Sequence, residues 1–334
     1  MVALGVTQIL AWGSSYYLPA VLAQPIARDT GWPLPWIIGG LSLGLLVAGL
    51  CSPMVGRAIE RTGGCPVLAS SSVLLGAGLV TLGLAPNLPA YLAAWLVIGI
   101  GMGAGLYDAA FATLGRLYGA GARAAITNLT LIAGFSSTVC WPLSAFFVQS
   151  LGWRGTCLAY AGLQLLLAFP IHLRLVPRLP TARTCDDEGL GLARSQPPVA
   201  VSRDRSIRFL LLATGLTLGT VIQSMMGVHL LTILQARGFD LAAAVGLGAL
   251  VGPAQVAARV IEKLLGARLH PIWTMLASAL LLAAGLGLLV AGGWAAGHRD
   301  RPWALRRRGR HLLDRARDAA LGPVRRVGLC GADG

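Results

Sequence analysis

Apolar residues in this chain gather into nine runs of about bilayer length, at 4–27, 36–53, 67–84, 88–114, 126–148, 158–176, 209–234, 241–261 and 272–292. Roughly 20 residues of helix cross a hydrocarbon core of ~30 Å. The polar positions between the runs are few, and several connections hold only a handful of residues. A soluble core cannot hide nine such segments. The pattern therefore predicts an all-α, polytopic membrane protein, which excludes most classes of enzyme.

The same pattern divides the chain. Six spans over 1–177 form a first bundle, and a polar stretch at 178–208 follows it. Spans seven to nine occupy 209–293, and a basic tail fills 294–334. The stretch at 178–208 contains Pro180, Pro197, Pro198 and the run Asp186-Asp187-Glu188, the composition of a flexible linker. A short repeat links the two bundles. Gly56-Arg57-Ala58-Ile59-Glu60-Arg61 closes span two, and Ala258-Arg259-Val260-Ile261-Glu262-Lys263 closes span eight. Recurrence at the corresponding place of each bundle points to duplication.

Composition agrees with the membrane reading: 55% of residues are hydrophobic and 12% charged, against roughly 25% charged in soluble domains. The net charge of +14 would suggest nucleic acid in a soluble protein. Its distribution argues against that partner. Ten arginines follow Trp294 with four acids, and the remaining 17 basic and nine acidic residues lie mostly in alternate loops. One set of loops carries Arg57, Glu60 and Arg61; Arg116 and Arg123; seven arginines from Arg174 to Arg208; and Lys263 with Arg268. The other set carries Arg28 with Asp29, no charge at 86–89, Arg154 alone, and Arg237 with Asp240. The positive-inside rule then places the N-terminus and the central linker in the cytoplasm of a bacterial inner membrane. The six cysteines are scattered without metal-ligand spacing and read as small apolar fillers. No cleavable signal peptide is evident.

Candidate chemistry begins at loop 56–63. Its glycines allow a tight turn, and Glu60 and Arg61 sit at helix ends where they can pair across a closing interface. One reading is a cytoplasmic gate latch that biases inward- against outward-open states; the other is an ordinary positive-inside loop. Asp108 lies in span four beside Tyr107, and a carboxylate within a span is costly unless it finds a partner or water. It can pair with Arg57 or Arg61 as part of the latch, titrate as a proton-coupling group, or snorkel to the interface. Gly99, Gly101, Gly103 and Gly105 give overlapping G-x-x-x-G frames, a signature of close helix packing. Gln8, Tyr16 and Tyr17 on span one, and Gln223, Ser224 and His229 on span seven, are polar groups within apolar helices. Gln223 and His229 are six residues apart, about 600° of helical rotation, so at most one of the two is expected to point at substrate. Arg259, Glu262 and Lys263 form either a second gate or a snorkelling terminus, and Pro253 is expected to kink span eight.

Six spans, a basic central loop and a second related bundle resemble the major facilitator superfamily of secondary transporters. The superfamily's loop pattern, G-x-x-x-(D/E)-(R/K)-x-G-x-(R/K), is met by Gly56, Glu60, Arg61 and Gly63, while Cys65 stands in place of the final base. Trp12-Gly13, Tyr16-Tyr17 and Leu151-Gly152-Trp153-Arg154 are similar to the monocarboxylate and oxalate–formate branch. The resemblance implies alternating access by two rocking bundles around a small solute, an organic anion in that branch, bound near the midplane. A coupled proton is left open, and neither cofactor nor covalent chemistry is implied. Spans one, four, seven and ten would wall the cavity, with Tyr16, Tyr17, Tyr107, Gln223 and His229 as candidate lining. Many members carry an Arg four residues before the first glycine of span four. Trp95 stands there, so no cation role is transferred. A membrane-embedded sensor or enzyme finds no support in motifs such as H-E-x-x-H or G-x-S-x-G.

The tail does not fit this plan. Span nine should end outside, where an Arg-rich tail violates the positive-inside rule. A frameshift explains it: read one base later, CGN arginine codons encode Gly, Ala, Val, Asp or Glu. One permitted set of GC-rich codons from His298 onward then yields a tenth apolar span. The expectation is a transporter truncated after its ninth span, and an alternative is a chain that transports nothing.

Overall fold

The computed structural model describes residues 1–177 and 203–265, and beyond them Trp273 and residues 276–288. Residues 178–202 of the linker and the basic tail lie outside the described residues, and 203–208 of the linker belong to a helix. Among the described residues the secondary structure is helical, with no strand. Helices α1 (Val2–Ser14) and α2 (Leu18–Thr30) share the first apolar run, followed by α3 (Leu34–Thr62) and α4 (Gly64–Gly83). Helices α5 (Leu88–Gly105) and α6 (Tyr107–Tyr118) make span four, and α7 (Ala122–Ala133), α8 (Ser136–Leu163) and α9 (Phe169–Leu175) carry spans five and six. After the linker come α10 (Arg203–Ala236), α11 (Leu241–Ala249) and α12 (Val251–Leu265). Residues 1–268 form one compact unit; Leu276–Leu288 is a helix of a second unit spanning 269–334.

Among the described residues, six helical runs are long and apolar enough to cross a bilayer. One of them, Ala122–Leu175, has 54 residues and would be about 81 Å long if straight, enough for two crossings. It breaks at Gly152, whose φ of 69° and ψ of 177° are non-helical. The first run falls outside the six because it is split into two 13-residue helices. The chain is thus an all-α polytopic membrane protein.

Small residues set how closely the helices approach. The glycines of α5 divide between two neighbours: a Cβ on Gly99 would lie 2.6 Å from the Gly44 carbonyl oxygen of α3, and one on Gly101 would lie 2.9 Å from Leu75 of α4. Gly103 meets Ala48 and Gly105 meets Ser71 in the same alternation. Successive odd positions are about 200° apart on a helix, so the two overlapping frames serve opposite faces.

Several spans are broken near their middles, and the freed backbone groups find partners on other helices, as an apolar medium demands. In span eight Pro253 lacks an N–H and crowds the carbonyl four residues back, that of Ala249. Helix α11 ends at that residue, and the Thr138 hydroxyl of α8 donates to its carbonyl oxygen at 2.7 Å. Gly252 makes room for Thr138, since a Cβ there would overlap the hydroxyl. The kink expected from Pro253 falls at Leu250, between α11 and α12, and is bridged from the first bundle.

Candidate transport site

Two of these breaks face each other. Span one stops at Ser14 and restarts at Leu18; the Tyr17 N–H reaches back to the Trp12 carbonyl oxygen at 3.0 Å. Span four stops at Gly105 and restarts at Tyr107, and the Gln8 side-chain amide donates to the Gly105 carbonyl oxygen at 2.6 Å. Gln8, fully buried, thus joins the two interruptions. Tyr16 and Tyr17 come from the first break and Tyr107 from the second. All three enter one aromatic nest with Trp12 and Trp141. Ring centroids are 4.8 Å apart for Trp12 and Tyr107, 5.1 Å for Tyr16 and Tyr17, and 5.6 Å for Tyr17 and Trp141. Phe111 stacks on Tyr107 one helical turn on.

Arg259 of α12 supplies the charge. It is half-buried, and its Nη1 donates to the Thr130 carbonyl oxygen of α7 at 3.0 Å. The guanidinium also lies near Tyr107 and Tyr17. No carboxylate is paired with it among the described residues. The indole N–H groups of Trp12 and Trp141 are buried without an acceptor. A cation, two unpaired N–H donors and several π faces suit a negatively charged group attached to an apolar body.

The other candidate residues fall elsewhere. On α10, Ser224 lies near the Tyr16 hydroxyl, and Gly227 packs against the same ring. Gln223 is exposed and His229 half-buried. The side chains of Glu262 and Lys263 lie outside the described residues.

At the motif loop, Gly63 ends α3 with a φ of 87°, a conformation that suits glycine. Arg57 bonds its own helix, with Nε 3.3 Å from the Pro53 carbonyl oxygen. Glu60, Arg61 and Asp108 are exposed. The pairing expected of Asp108 with Arg57 or Arg61 is not formed in this conformation: Asp108 sits in the first turn of α6, where the helix dipole favours a carboxylate. The loop is tied to span four by Arg116, whose Nη1 donates to the carbonyl oxygens of Ile59, at 2.5 Å, and Glu60. Both acceptors are carbonyls of the last turn of α3, and that of Ile59 also accepts the Gly63 N–H at 2.9 Å.

A family model described as Major Facilitator Superfamily matches residues 4–303. The chain belongs to that superfamily. It is therefore a secondary transporter, and the match covers both bundles as well as the linker. No protein of curated function matches the chain.

Two departures from the superfamily's pattern have structural accounts. Cys65, in place of the loop's final base, is 2% exposed, and its thiol donates to the His172 carbonyl oxygen at 3.4 Å. A charged side chain there would be buried. Trp95, in place of the arginine of span four, lies against α3, where a Cβ on Gly40 would fall 2.4 Å from its ring. Its role is packing.

Sequence reasoning missed two polar clusters of this transporter. His172 is buried between Thr7 and Ser72, with Nε2 2.9 Å from Thr7 Oγ1 and Nδ1 3.0 Å from Ser72 Oγ. Thr7 already donates to the Leu4 carbonyl oxygen, so it accepts from Nε2–H, and Nδ1 accepts from Ser72. At the other end of the bundle the Trp153 indole donates to Asp29 Oδ2 at 2.8 Å. Arg154 caps the Gly83 and Ala85 carbonyls at 2.9 and 3.1 Å while stacking on the Trp153 ring. The Gly-Trp-Arg run is a clasp that holds spans one, three and six together.

Proposed function

We propose that this protein moves a small organic anion across the bacterial cytoplasmic membrane by alternating access, with the N-terminus and central linker in the cytoplasm. The observation that carries the reading is Arg259, half-buried beside Tyr107 and Tyr17 without a paired carboxylate among the described residues. A half-buried cation gains from an anionic partner, and a substrate carboxylate supplies one. The buried indole N–H groups of Trp12 and Trp141 add donors in the same nest. Arg259 thus serves the substrate rather than a gate. The likeness of Trp12-Gly13 and Tyr16-Tyr17 to the monocarboxylate and oxalate–formate branch supports the same substrate class. Loop 56–63, tied by Arg116, is the cytoplasmic latch, and Asp108 joins it in the opposite conformation or carries a coupled proton.

Thermal unfolding of the purified protein, with and without a panel of aliphatic and aromatic carboxylates, tests the site. At least one carboxylate should raise the midpoint of the wild type, its neutral amide should not, and Arg259→Gln should abolish the rise. Equal protection of the variant would exclude Arg259 from the site.

One observation favours a second reading. Ten arginines after Trp294 fill the stretch where a tenth span would stand. On that reading the tail is out of frame, the cavity lacks a wall, and the chain binds substrate weakly and transports nothing. The nucleotide sequence around the codons for residues 291–298 decides it: an apolar span in the alternative frame supports a frameshift, and its absence removes the second reading.

A further inference from the structure

Span six does not run as one regular helix. Between α8 and α9 it passes through a π turn at Gln164–Ala168, where the Phe169 N–H bonds the Gln164 carbonyl oxygen five residues back. Such a turn takes up one extra residue and occurs frequently at functional positions. On either side of it stand the polar side chains by which span six holds span one. Gln164 Nε2 donates to Ser14 Oγ at 2.8 Å, and His172 Nε2 lies 2.9 Å from Thr7 Oγ1. All four side chains are buried.

The π turn is what permits both contacts. Thr7 and Ser14 are seven residues apart on α1, about 20° short of two full turns, so they share a face. Gln164 and His172 are eight apart and would diverge by about 80° in an unbroken α-helix. With one residue absorbed by the π turn, the effective separation is seven, and the pair returns to one face with the same offset. The two spans run antiparallel, so the equally spaced pairs meet. His172 is fixed further by span three, through Ser72 Oγ at 3.0 Å and through its carbonyl oxygen, which accepts the Cys65 thiol at 3.4 Å. Gln164 holds the last residue of α1, and the break that follows carries Tyr16 and Tyr17 into the aromatic nest.

We propose that the π turn sets the phase of span six against span one, and that Gln164 is a positioning residue, with His172 as its fixed counterpart. It holds the span-one break and thereby aims Tyr16 and Tyr17 at the transported anion. This rests on the reading of the nest as the anion site.

The test separates the break from the solute. Gln164→Met keeps the reach of the side chain and removes its donor. Without any solute, amide hydrogen exchange of the purified protein should rise 2–10-fold at residues 14–18, the range expected for one neutral hydrogen bond, and stay unchanged at 90–98. Ser14→Ala should match it, and the double variant should add nothing. With sodium benzoate as the probe, the concentration giving half of the rise in unfolding midpoint should increase 2–10-fold. A merely structural loss would lower the midpoint without benzoate and leave that concentration where it is. Deleting Leu166, an exposed residue of the turn, restores an unbroken helix and must free one of the two anchors. Exchange should then rise at 14–18 or at 5–9, and a deletion that changes neither would overturn the role of the π turn. Gln164→Met decides the positioning role whatever the deletion does to folding. Unchanged exchange at 14–18, or unchanged benzoate affinity beside accelerated exchange, would overturn it. No protection of the wild type by benzoate would count against the anion reading alone, because exchange is read without solute.

Discussion

Gly99→Ala probes the packing that sets the distance between spans two and four. The added Cβ would lie 2.6 Å from the Gly44 carbonyl oxygen, and 2.9 Å from both Gly44 Cα and Val47 Cβ. Two of those three atoms are backbone and cannot rotate away. Restoring van der Waals separation requires α5 and α3 to part by about 0.8 Å. Overpacking of this kind costs about 1–3 kcal/mol. Gly39→Ala is the matched control on α3, because a Cβ there meets nothing within 4 Å. Relieved of glycine's backbone entropy, that variant should be neutral or gain up to about 1 kcal/mol. The two substitutions should therefore differ by about 1–4 kcal/mol, with Gly103→Ala between them, since its Cβ would stand 3.0 Å from the Ala48 oxygen. Thermal unfolding in detergent at a fixed scan rate, followed by tryptophan emission, should show the midpoint of Gly99→Ala several degrees below that of Gly39→Ala. Trp95, which contacts Gly44, reports from the altered interface. Equal midpoints would refute the close approach of α3 and α5.

Trp153→Phe removes the bond to Asp29. A hydrogen bond to a charged group contributes about 1.5–3 kcal/mol, and the exposure of Asp29 places the loss at the lower end. Pairing the substitution with Asp29→Ala in a double-mutant cycle should show strong non-additivity, whereas additive effects would deny the clasp. Arg116→Gln should speed amide hydrogen exchange at residues 60–63 and leave the 130–140 stretch unchanged; no local acceleration would remove Arg116 from the latch. Thr138→Val leaves the Ala249 carbonyl unpaired and should cost about 1–3 kcal/mol, and an unchanged midpoint would mean that another donor bridges the break.

The spans were legible because bilayer thickness acts on any long apolar run regardless of tertiary structure. Their interruptions were not, apart from the one at Pro253. Nothing at Ser15 or Leu106 marks a break in sequence, since the groups that make those breaks tolerable sit far along the chain. Gln8 serves Gly105 across 97 residues, and Arg259 serves Thr130 across 129. Tyr16, Tyr17 and Tyr107 were readable as polar edges on cavity-facing helices. The contribution of Trp141 was hidden, because a tryptophan in an apolar span reads as filler until its neighbours are known. Arg259 was visible as part of a repeated motif, and the repeat suggested a gate. Its place near Tyr107 supports a substrate role and depends on how two distant breaks pack. His172 escaped notice for a similar reason: its partners Thr7 and Ser72 are 165 and 100 residues away.

Solute flux in proteoliposomes reconstituted with the purified full-length chain tests the central claim most directly. Vesicles loaded with one unlabelled carboxylate and diluted into the same compound carrying an isotope should take up label saturably, and the neutral amide should compete poorly. Arg259→Gln should reduce that uptake at least tenfold. Label entry no faster than in protein-free vesicles for every carboxylate tried, or equal uptake by Arg259→Gln, would contradict an anion transporter built around Arg259.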